Sequence, residues 1–221
     1  MPTSQLIFNL NLPSHYDFNH FIVGDNHEAL AMLASKNTER FIALWGYSGA
    51  GKTHLLKAWI QQATIQKLPA LYIDARHTKL THAIKHANQL AVDHIEALDT
   101  ESQTTLFAIY NAFRTTPSAR LLIASNCPPS QLVLRDDLRS RISAGLVYEI
   151  HALSDEHKFI ALRTYAQAKQ INIPDNILRY LLHHFQRNLS ALTLLIDTLD
   201  REALSHHHPI TLPFLKSILS I

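Results

Sequence analysis

The sequence predicts an α/β protein in which a parallel sheet, covered by helices on both faces, is followed by a small all-helical domain. Three observations support this fold class. Short apolar runs alternate with helical patterns up to about residue 150, strand signals stop after residue 151, and a glycine-rich loop motif separates the first apolar run from the first long helical pattern.

The apolar runs have the length of buried strands, and they occupy residues 41–45, 70–73, 90–92, 120–125 and 146–150. Helical patterns lie between them, notably from residue 52 to about 66 and from 101 to 115. Continuous apolar runs are typical of parallel strands that are buried on both faces. Right-handed crossovers would then place the glycine-rich loop at the carboxyl ends of the strands, where such folds bind ligands.

The remaining third of the chain reads as helices. Ser154 precedes two acidic residues that suit a first helical turn, Pro174 stands at the start of a second helix, and apolar spacing continues over residues 189–204 and 212–221. We therefore predict an α/β domain over residues 13–152 and a helical lid domain over residues 153–221, with a flexible peptide over residues 1–12.

Composition narrows the function classes. Lys and Arg total 20 against 18 Asp and Glu, without the basic excess expected of a domain that binds duplex DNA. A single cysteine, Cys127, excludes an internal disulfide and fits a reducing compartment. No apolar run of about 18 residues and no signal-peptide pattern occurs. We expect a soluble cytoplasmic protein that has no membrane partner and does not bind DNA sequence-specifically.

The chain contains 15 histidines, and His82 and His86 would share one helix face if residues 78–88 were helical. Because no acidic or cysteine partner completes a ligand set, a solvated helix face is favoured over a metal site there.

The glycine-rich loop supplies the three things that a phosphate chain needs. Its glycines allow backbone N–H groups to approach closely, Lys52 is a cation that can reach the β and γ phosphates, and the Thr53 hydroxyl can bind Mg²⁺. The motif comprises Gly46, Tyr47, Ser48, Gly49, Ala50, Gly51, Lys52 and Thr53.

Mg²⁺ also requires a carboxylate from a neighbouring strand, and Asp93 ends the run at residues 90–92. The alternative role of Asp93 is that of a helix cap. His94 occupies the next position, where an acid commonly orients the attacking water. Glu96 would lie roughly 6.5 Å further along a continued strand, so we do not expect it to substitute. Slow intrinsic hydrolysis is the resulting prediction.

Two further segments carry polar residues. Ser125 and Asn126 follow the fourth apolar run, where a polar side chain could touch the γ phosphate or the attacking water. Arg141, in the segment 135–142, could project from a short helix towards a neighbour's nucleotide, because an arginine supplied in trans stabilises a transferring phosphoryl group. A surface ion pair with Asp136 or Asp137 is the alternative for Arg141.

The order of these motifs resembles the DnaA-like AAA+ family, and within it the short regulators of the Hda group. The resemblance rests on the phosphate loop, Val-Asp-His-Ile at 92–95, Ser-Asn at 125–126, Leu-Arg-Ser-Arg at 138–141 and the helical tail. Residues 127–132, 153–156 and the C-terminal segment are similar to the Hda group. The similarity spans residues 5–221.

The resemblance implies a regulator that is bound to ADP or ATP with Mg²⁺ and that stimulates ATP hydrolysis by the initiator DnaA through Arg141 as an arginine finger. In the family that it resembles, the segment 16–24 packs beside the adenine. Phe21, Ile22, Val23, His54 and Asn126 therefore join the predicted nucleotide-binding set. The oligomeric state stays open, with a homo-oligomer as one alternative.

Gln5-Leu-Ile-Phe-Asn-Leu10 resembles the peptide by which the Hda group engages the polymerase sliding clamp (the β subunit). Gln5 would hydrogen-bond at a small pocket while Leu6, Phe8 and Leu10 fill an apolar groove, the peptide ordering on binding. This chain has Ile7-Phe8-Asn9 in place of the usual small and proline-containing middle of such peptides.

A second departure lies in the lid domain. The family pattern places a nucleotide-sensing arginine near Ser190, whereas this chain has Arg187 three residues away. The sequence is also compatible with three other functions. They are a helicase-loader-type ATPase, a nucleotide-dependent adaptor without an activating role, and a small-molecule kinase built on the same loop.

Overall fold

One sheet of parallel strands forms the centre of the larger unit in the computed structural model, which describes residues 16–19, 21–35, 39–81, 84, 87–185 and 189–219. Within that part of the chain the sheet has five strands in the order β2-β3-β4-β1-β5. They are β1 (Phe41–Trp45), β2 (Ala70–Asp74), β3 (Gln89–Asp93), β4 (Arg120–Ser125) and β5 (Leu146–Glu149). The predicted parallel sheet is confirmed.

Four helices cover the sheet: α1 (His27–Ala34), α2 (Lys52–Ile65), α3 (Thr100–Thr115) and α4 (Asp136–Ser143). Alternate residues of each central strand point to opposite faces. On β4, Leu122 packs in a core with α1 and α2, while Leu121 and Ile123 pack in a core with α3 and α4. Both faces are therefore apolar, which explains the uninterrupted apolar runs of the central strands.

The lid unit consists of α5 (Asp155–Ala168), α6 (Asp175–His184), α7 (Leu189–Ser205) and α8 (Leu212–Leu219). Ser154 caps α5 by accepting a hydrogen bond from the His157 N–H at 3.2 Å. The four helices enclose a core of their own around Leu162, Leu181, Ile196 and Leu215. The predicted helical domain is confirmed.

The connection between the two units is pinned by hydrogen bonds. The Asn26 side-chain amide donates to the His151 carbonyl at 3.0 Å, and the His151 N–H donates to Asn26 Oδ1 at 2.8 Å. Asn26 is buried and precedes α1. The lid therefore starts from a segment whose backbone is anchored to the α/β unit.

The structure adds to or departs from the sequence patterns at three places. Helix α1 was not predicted, because its eight residues carry only a short apolar pattern. Residues 78–81 are not helical, and His82 and His86 lie outside the described residues. Strand β3 ends at Asp93 and is followed by a 3₁₀ turn over Ile95–Ala97, so the chain does not continue as a strand to Glu96.

Candidate functional site: a phosphate loop with an oxygen-lined cation site

The phosphate loop joins β1 to α2 and is shaped by its glycines. Gly49 and Gly51 have φ values of 82° and 102°, conformations that side chains with a Cβ rarely adopt. Gly51 precedes the first residue of the 14-residue helix α2. A side chain at Gly46 would collide with the backbone of Ile150. The loop thus presents its backbone at a helix N-terminus, which suits a phosphate group.

Lys52 lies inside this loop, with its side chain largely buried. Its Nζ donates to the carbonyl oxygens of Gly46 at 2.6 Å and of Tyr47 at 3.0 Å. Burial lowers the pKa of Lys52, and the negative charges of Asp93 and Glu96 oppose that shift. The ammonium group is therefore held among oxygen atoms at the point where the motif predicts β and γ phosphates.

Asp93 is fully buried and accepts three hydrogen bonds. The Thr53 hydroxyl donates to Oδ2 at 2.6 Å, the Tyr72 hydroxyl donates to the same oxygen at 3.0 Å, and the His94 N–H donates to Oδ1 at 3.0 Å. Burial and the neighbouring Asp93 charge raise the pKa of Tyr72. Tyr72 was not predicted as a site residue, because it comes from β2 and only the pairing of Asp74 with Asp93 in the sheet brings it here.

Thr53 and Asp93, the two predicted magnesium residues, therefore lie in direct contact. A hydroxyl and a carboxylate at the carboxyl edge of the sheet fit a hard cation that prefers oxygen ligands. When Mg²⁺ is bound it would neutralise phosphate charge. In the part of the chain that the structure describes, no group of three or more His, Cys, Asp or Glu side chains is arranged to hold a metal ion.

His94 adopts the left-handed conformation with φ 55°. Its Nδ1 lies 3.3 Å from Asp74 Oδ1 and 3.4 Å from Asp93 Oδ1, yet it makes no hydrogen bond to any described residue. The side chain of the residue after Asp93 thus faces Asp74 as well as Asp93. A hydrogen bond from the Arg76 side chain holds the pKa of Asp74 at about 2, well below its ordinary value.

The segment predicted to contact adenine packs on the start of α2. Phe21 is buried, and a Cβ at Gly51 would lie 2.8 Å from its ring. His54 Nε2 lies 2.9 Å from the Asp17 carbonyl, and the His54 ring packs against the rings of Tyr16 and Phe21 at centroid distances of 5.4 and 5.6 Å. Ile22 and Val23 are half-buried. His54 thereby holds this segment beside the phosphate loop.

Two loop residues remain exposed at the same edge. Asn126 follows Ser125, which is paired with Trp45 just before the phosphate loop, and its side chain is exposed. The Ser125 hydroxyl instead donates to the Cys127 carbonyl at 2.7 Å. Tyr47 is 78% exposed. Of Ser125 and Asn126, it is therefore Asn126 whose side chain can face a ligand at this edge.

Arg141 lies in α4 and is half-buried. The acids that offered it a surface ion pair are taken by other arginines: Asp136 lies 2.5 Å from Arg139, and Asp137 lies 2.8 Å from Arg135. No described residue forms an ion pair or hydrogen bond with Arg141. The guanidinium group is thus uncommitted within the described chain.

Some predicted residues belong to segments outside those that the structure describes. Gln5, Leu6, Phe8 and Leu10 lie outside the described residues, as does Arg187, and the side chain of Ser190 is not described. Within the described residues, no helix is both long enough and apolar enough to span a membrane.

The parallel sheet, the phosphate loop with its paired Thr53 and Asp93, and the helical lid define a phosphate-loop protein of the AAA+ class. Residues 12–149 match the family model described as the bacterial DnaA ATPase domain, and residues 155–219 match the one described as the Hda lid domain. The chain belongs to the bacterial DnaA ATPase-domain family.

Solved structures agree with this fold. Domain III of the Thermotoga maritima replication initiation protein DnaA has a TM-score of 0.76 and 23% identity, over 95% of this chain and 97% of that one. AMPPCP-bound DnaA from Aquifex aeolicus has a TM-score of 0.70 and 23% identity, over 85% and 66%. Thermotoga maritima RuvB has a TM-score of 0.67 and 15% identity, over 93% and 71%.

Proposed function

We propose that this protein is an Hda-type regulator of replication initiation that presents Arg141 to ATP held by DnaA and so promotes hydrolysis in the partner's site. Membership of the DnaA ATPase-domain family and the match of residues 155–219 to the Hda lid model support a role connected with initiation. The observation that most supports the proposal is that Arg141 has no hydrogen-bond or ion-pair partner among the described residues.

The contrast among the three arginines of this segment supports a role for Arg141 in trans. Arg135 bonds to Asp137 and to the Thr104 hydroxyl, both at 2.8 Å, and Arg139 bonds to Asp136. Both side chains are therefore engaged in contacts that stabilise α4 and the residues around it. Leaving a half-buried guanidinium without a partner forfeits the charge-assisted bonds that arginine makes readily. That cost is explained if the partner is a phosphoryl group on another molecule.

In this proposal the protein's own phosphate-loop site, called the home site below, holds an adenine nucleotide, ADP or ATP, with Mg²⁺. Lys52 can exchange loop carbonyls for phosphate oxygens, Thr53 and Asp93 offer oxygen ligands to Mg²⁺, and Phe21, Ile22 and Val23 lie on the adenine side. The related DnaA from Aquifex aeolicus was solved with AMPPCP bound. Nucleotide occupancy would order the loop next to Tyr47 and so shape the surface that meets DnaA.

The sliding clamp is the second proposed partner. The peptide with Gln5, Leu6, Phe8 and Leu10 carries this part of the proposal by its sequence alone. An apolar hook of this kind gains affinity by filling a groove, at the cost of ordering the peptide. Tethering to a clamp on DNA would raise the local concentration of Arg141 near DNA-bound DnaA.

The experiment is a reconstituted assay of DnaA-bound ATP hydrolysis with clamp-loaded DNA. Wild-type protein should accelerate hydrolysis, and Arg141→Ala should abolish the acceleration, because an arginine supplied in trans is worth roughly 10³–10⁵-fold. Arg141→Lys should fail almost as completely, since lysine lacks the planar fork. Arg139→Ala, a change on the same helix, is the matched control and should retain stimulation.

Different variants in this assay test the clamp contact and the arginine finger separately. A Gln5→Ala, Leu6→Ala variant should lose stimulation with clamp-loaded DNA while still binding nucleotide. Stimulation that survives Arg141→Ala would favour a nucleotide-dependent adaptor and refute the finger. If the wild-type protein gives no stimulation with DnaA and clamp present, the proposed function is wrong.

A further inference from the structure

Glu96 is a polar residue just after the end of β3 that the proposed function does not use. The 3₁₀ turn that carries it packs against β4, the strand that separates β3 from β1 and its phosphate loop. Its neighbour Ile95 is buried in the core beneath the turn. Glu96 is thus held by buried structure at the carboxyl edge of the sheet.

One carboxylate oxygen of Glu96, Oε2, is buried and has no hydrogen-bond partner among the described residues. A buried carboxylate oxygen without a donor is costly, and such exceptions call for an explanation. The other carboxylates near the site already have partners, because Asp93 accepts hydrogen bonds from three donors and Asp74 is paired with Arg76. Glu96 Oε2 is thus a carboxylate acceptor that has no donor within the described chain.

Electrostatic effects agree with this location. The Glu96 charge opposes the lowering of the Lys52 pKa, and together with burial it raises the pKa of the Cys127 thiol. Lys52 belongs to the phosphate loop, and Cys127 directly follows Asn126. The Glu96 charge therefore influences both a phosphate-loop residue and the residue after Asn126.

The backbone explains why spacing along the sequence misplaces this residue. The estimate of about 6.5 Å beyond the site assumes that β3 continues, but β3 ends at Asp93 and His94 turns the chain with φ 55°. The turn folds residues 95–97 back onto β4 rather than carrying them away from the sheet edge. The distance of about 6.5 Å along a continued strand therefore does not apply to Glu96.

We propose that Glu96 is the general base of this chain's own nucleotide site and replaces the acid that is missing at position 94. The inference rests on the part of the proposed function that places ATP in this loop. Glu96 would accept a proton from a water while that water's oxygen forms a bond to the γ phosphorus. The bond from the γ phosphorus to the bridging oxygen breaks, its electron pair stays on ADP, and phosphate leaves.

This chemistry would give the protein a slow, self-contained conversion of its bound ATP to ADP that is independent of Arg141 and of DnaA. The test loads wild type, Glu96→Gln and Glu96→Asp with labelled ATP and Mg²⁺ and follows a single turnover. The identity of the nucleotide that remains bound is read by chromatography, and ATP and ADP affinities are measured by calorimetry.

Glu96→Gln should hydrolyse ATP roughly a hundredfold more slowly than wild type, so that bound ATP accumulates where wild type holds ADP. Its affinities for both nucleotides should stay within about threefold, because glutamine preserves the shape of the side chain. Glu96→Asp keeps a carboxylate and should retain part of the rate. Glu101→Gln, an exposed acid on α3, is the matched control and should behave like wild type.

Equal single-turnover rates in wild type and Glu96→Gln would overturn the inference. So would tighter ATP binding by Glu96→Gln at an unchanged rate, which would show that the charge repels the γ phosphate instead. ADP-loaded Glu96→Gln should still stimulate DnaA like wild type, so failure of this inference and failure of the Arg141 proposal give different results. Absence of ATP binding by wild type would overturn the home site and this inference together.

Discussion

The Tyr72 hydroxyl offers a measurable test of the Asp93 site. Tyr72→Phe removes one of three donors to a fully buried carboxylate, a hydrogen bond of 3.0 Å, and leaves the ring in place. A hydrogen bond to a charged group contributes about 1.5–3 kcal/mol. The variant should therefore lose about 2 kcal/mol of the free energy of unfolding, a drop of roughly 4–8 °C in Tm for a chain of this size.

Urea denaturation and calorimetry, both without nucleotide and with EDTA, measure the change. A double-mutant cycle with Asp93→Asn isolates the pair, because Tyr72→Phe should cost much less once the carboxylate is gone. Tyr148→Phe is the matched control, since that hydroxyl has no hydrogen bond to a described residue, and it should change stability by less than about 0.5 kcal/mol. A Tyr72→Phe effect below about 0.5 kcal/mol, or an equal effect in both backgrounds, would refute the reasoning.

Two further predictions concern stability. The pKa of Asp74 is held at about 2 by Arg76, so the ionised carboxylate stabilises the fold fully above pH 4 and loses that contribution as the pH falls through 2. Asp74→Asn should therefore lower the free energy of unfolding by about 1 kcal/mol at pH 7 after solvent screening. In urea denaturation the difference between wild type and variant should shrink in acid, and a difference that does not change with pH would contradict the prediction. Gly51→Ala should lower the free energy of unfolding more than Gly49→Ala, because both residues have positive φ but only Gly51 faces the Phe21 ring. Equal decreases in the denaturation midpoints of the two variants would contradict this prediction.

The phosphate loop and the sheet were predictable because their signals are local. Residues 41–45 and 120–125 read as strands from their apolar runs, and both are strands in the structure. The loop motif lies in consecutive residues, so its chemistry could be read directly. Helix α1 escaped prediction because eight residues with two buried positions give too short a pattern.

The partners of each site residue were not predictable in the same way. Arg141 had two acids within reach on the sequence, and only the side-chain contacts show that Asp136 and Asp137 pair with other arginines. Tyr72 reaches Asp93 through the pairing of β2 with β3, across 21 positions of the chain. Such contacts depend on register and crossover, which no local pattern records.

The sequence by itself indicated the kind of site: a phosphate loop, a carboxylate predicted to bind Mg²⁺, and a histidine where an acid is common. Tertiary structure decided which groups are already satisfied and which are left over. Asp93 accepts hydrogen bonds from three donors in different segments, whereas Glu96 Oε2 and the Arg141 guanidinium have no partners in the described chain. The physical reason is that hydrogen bonds and ion pairs depend on distances in space, and the chain leaves the direction of β3 at His94, whose φ of 55° is left-handed.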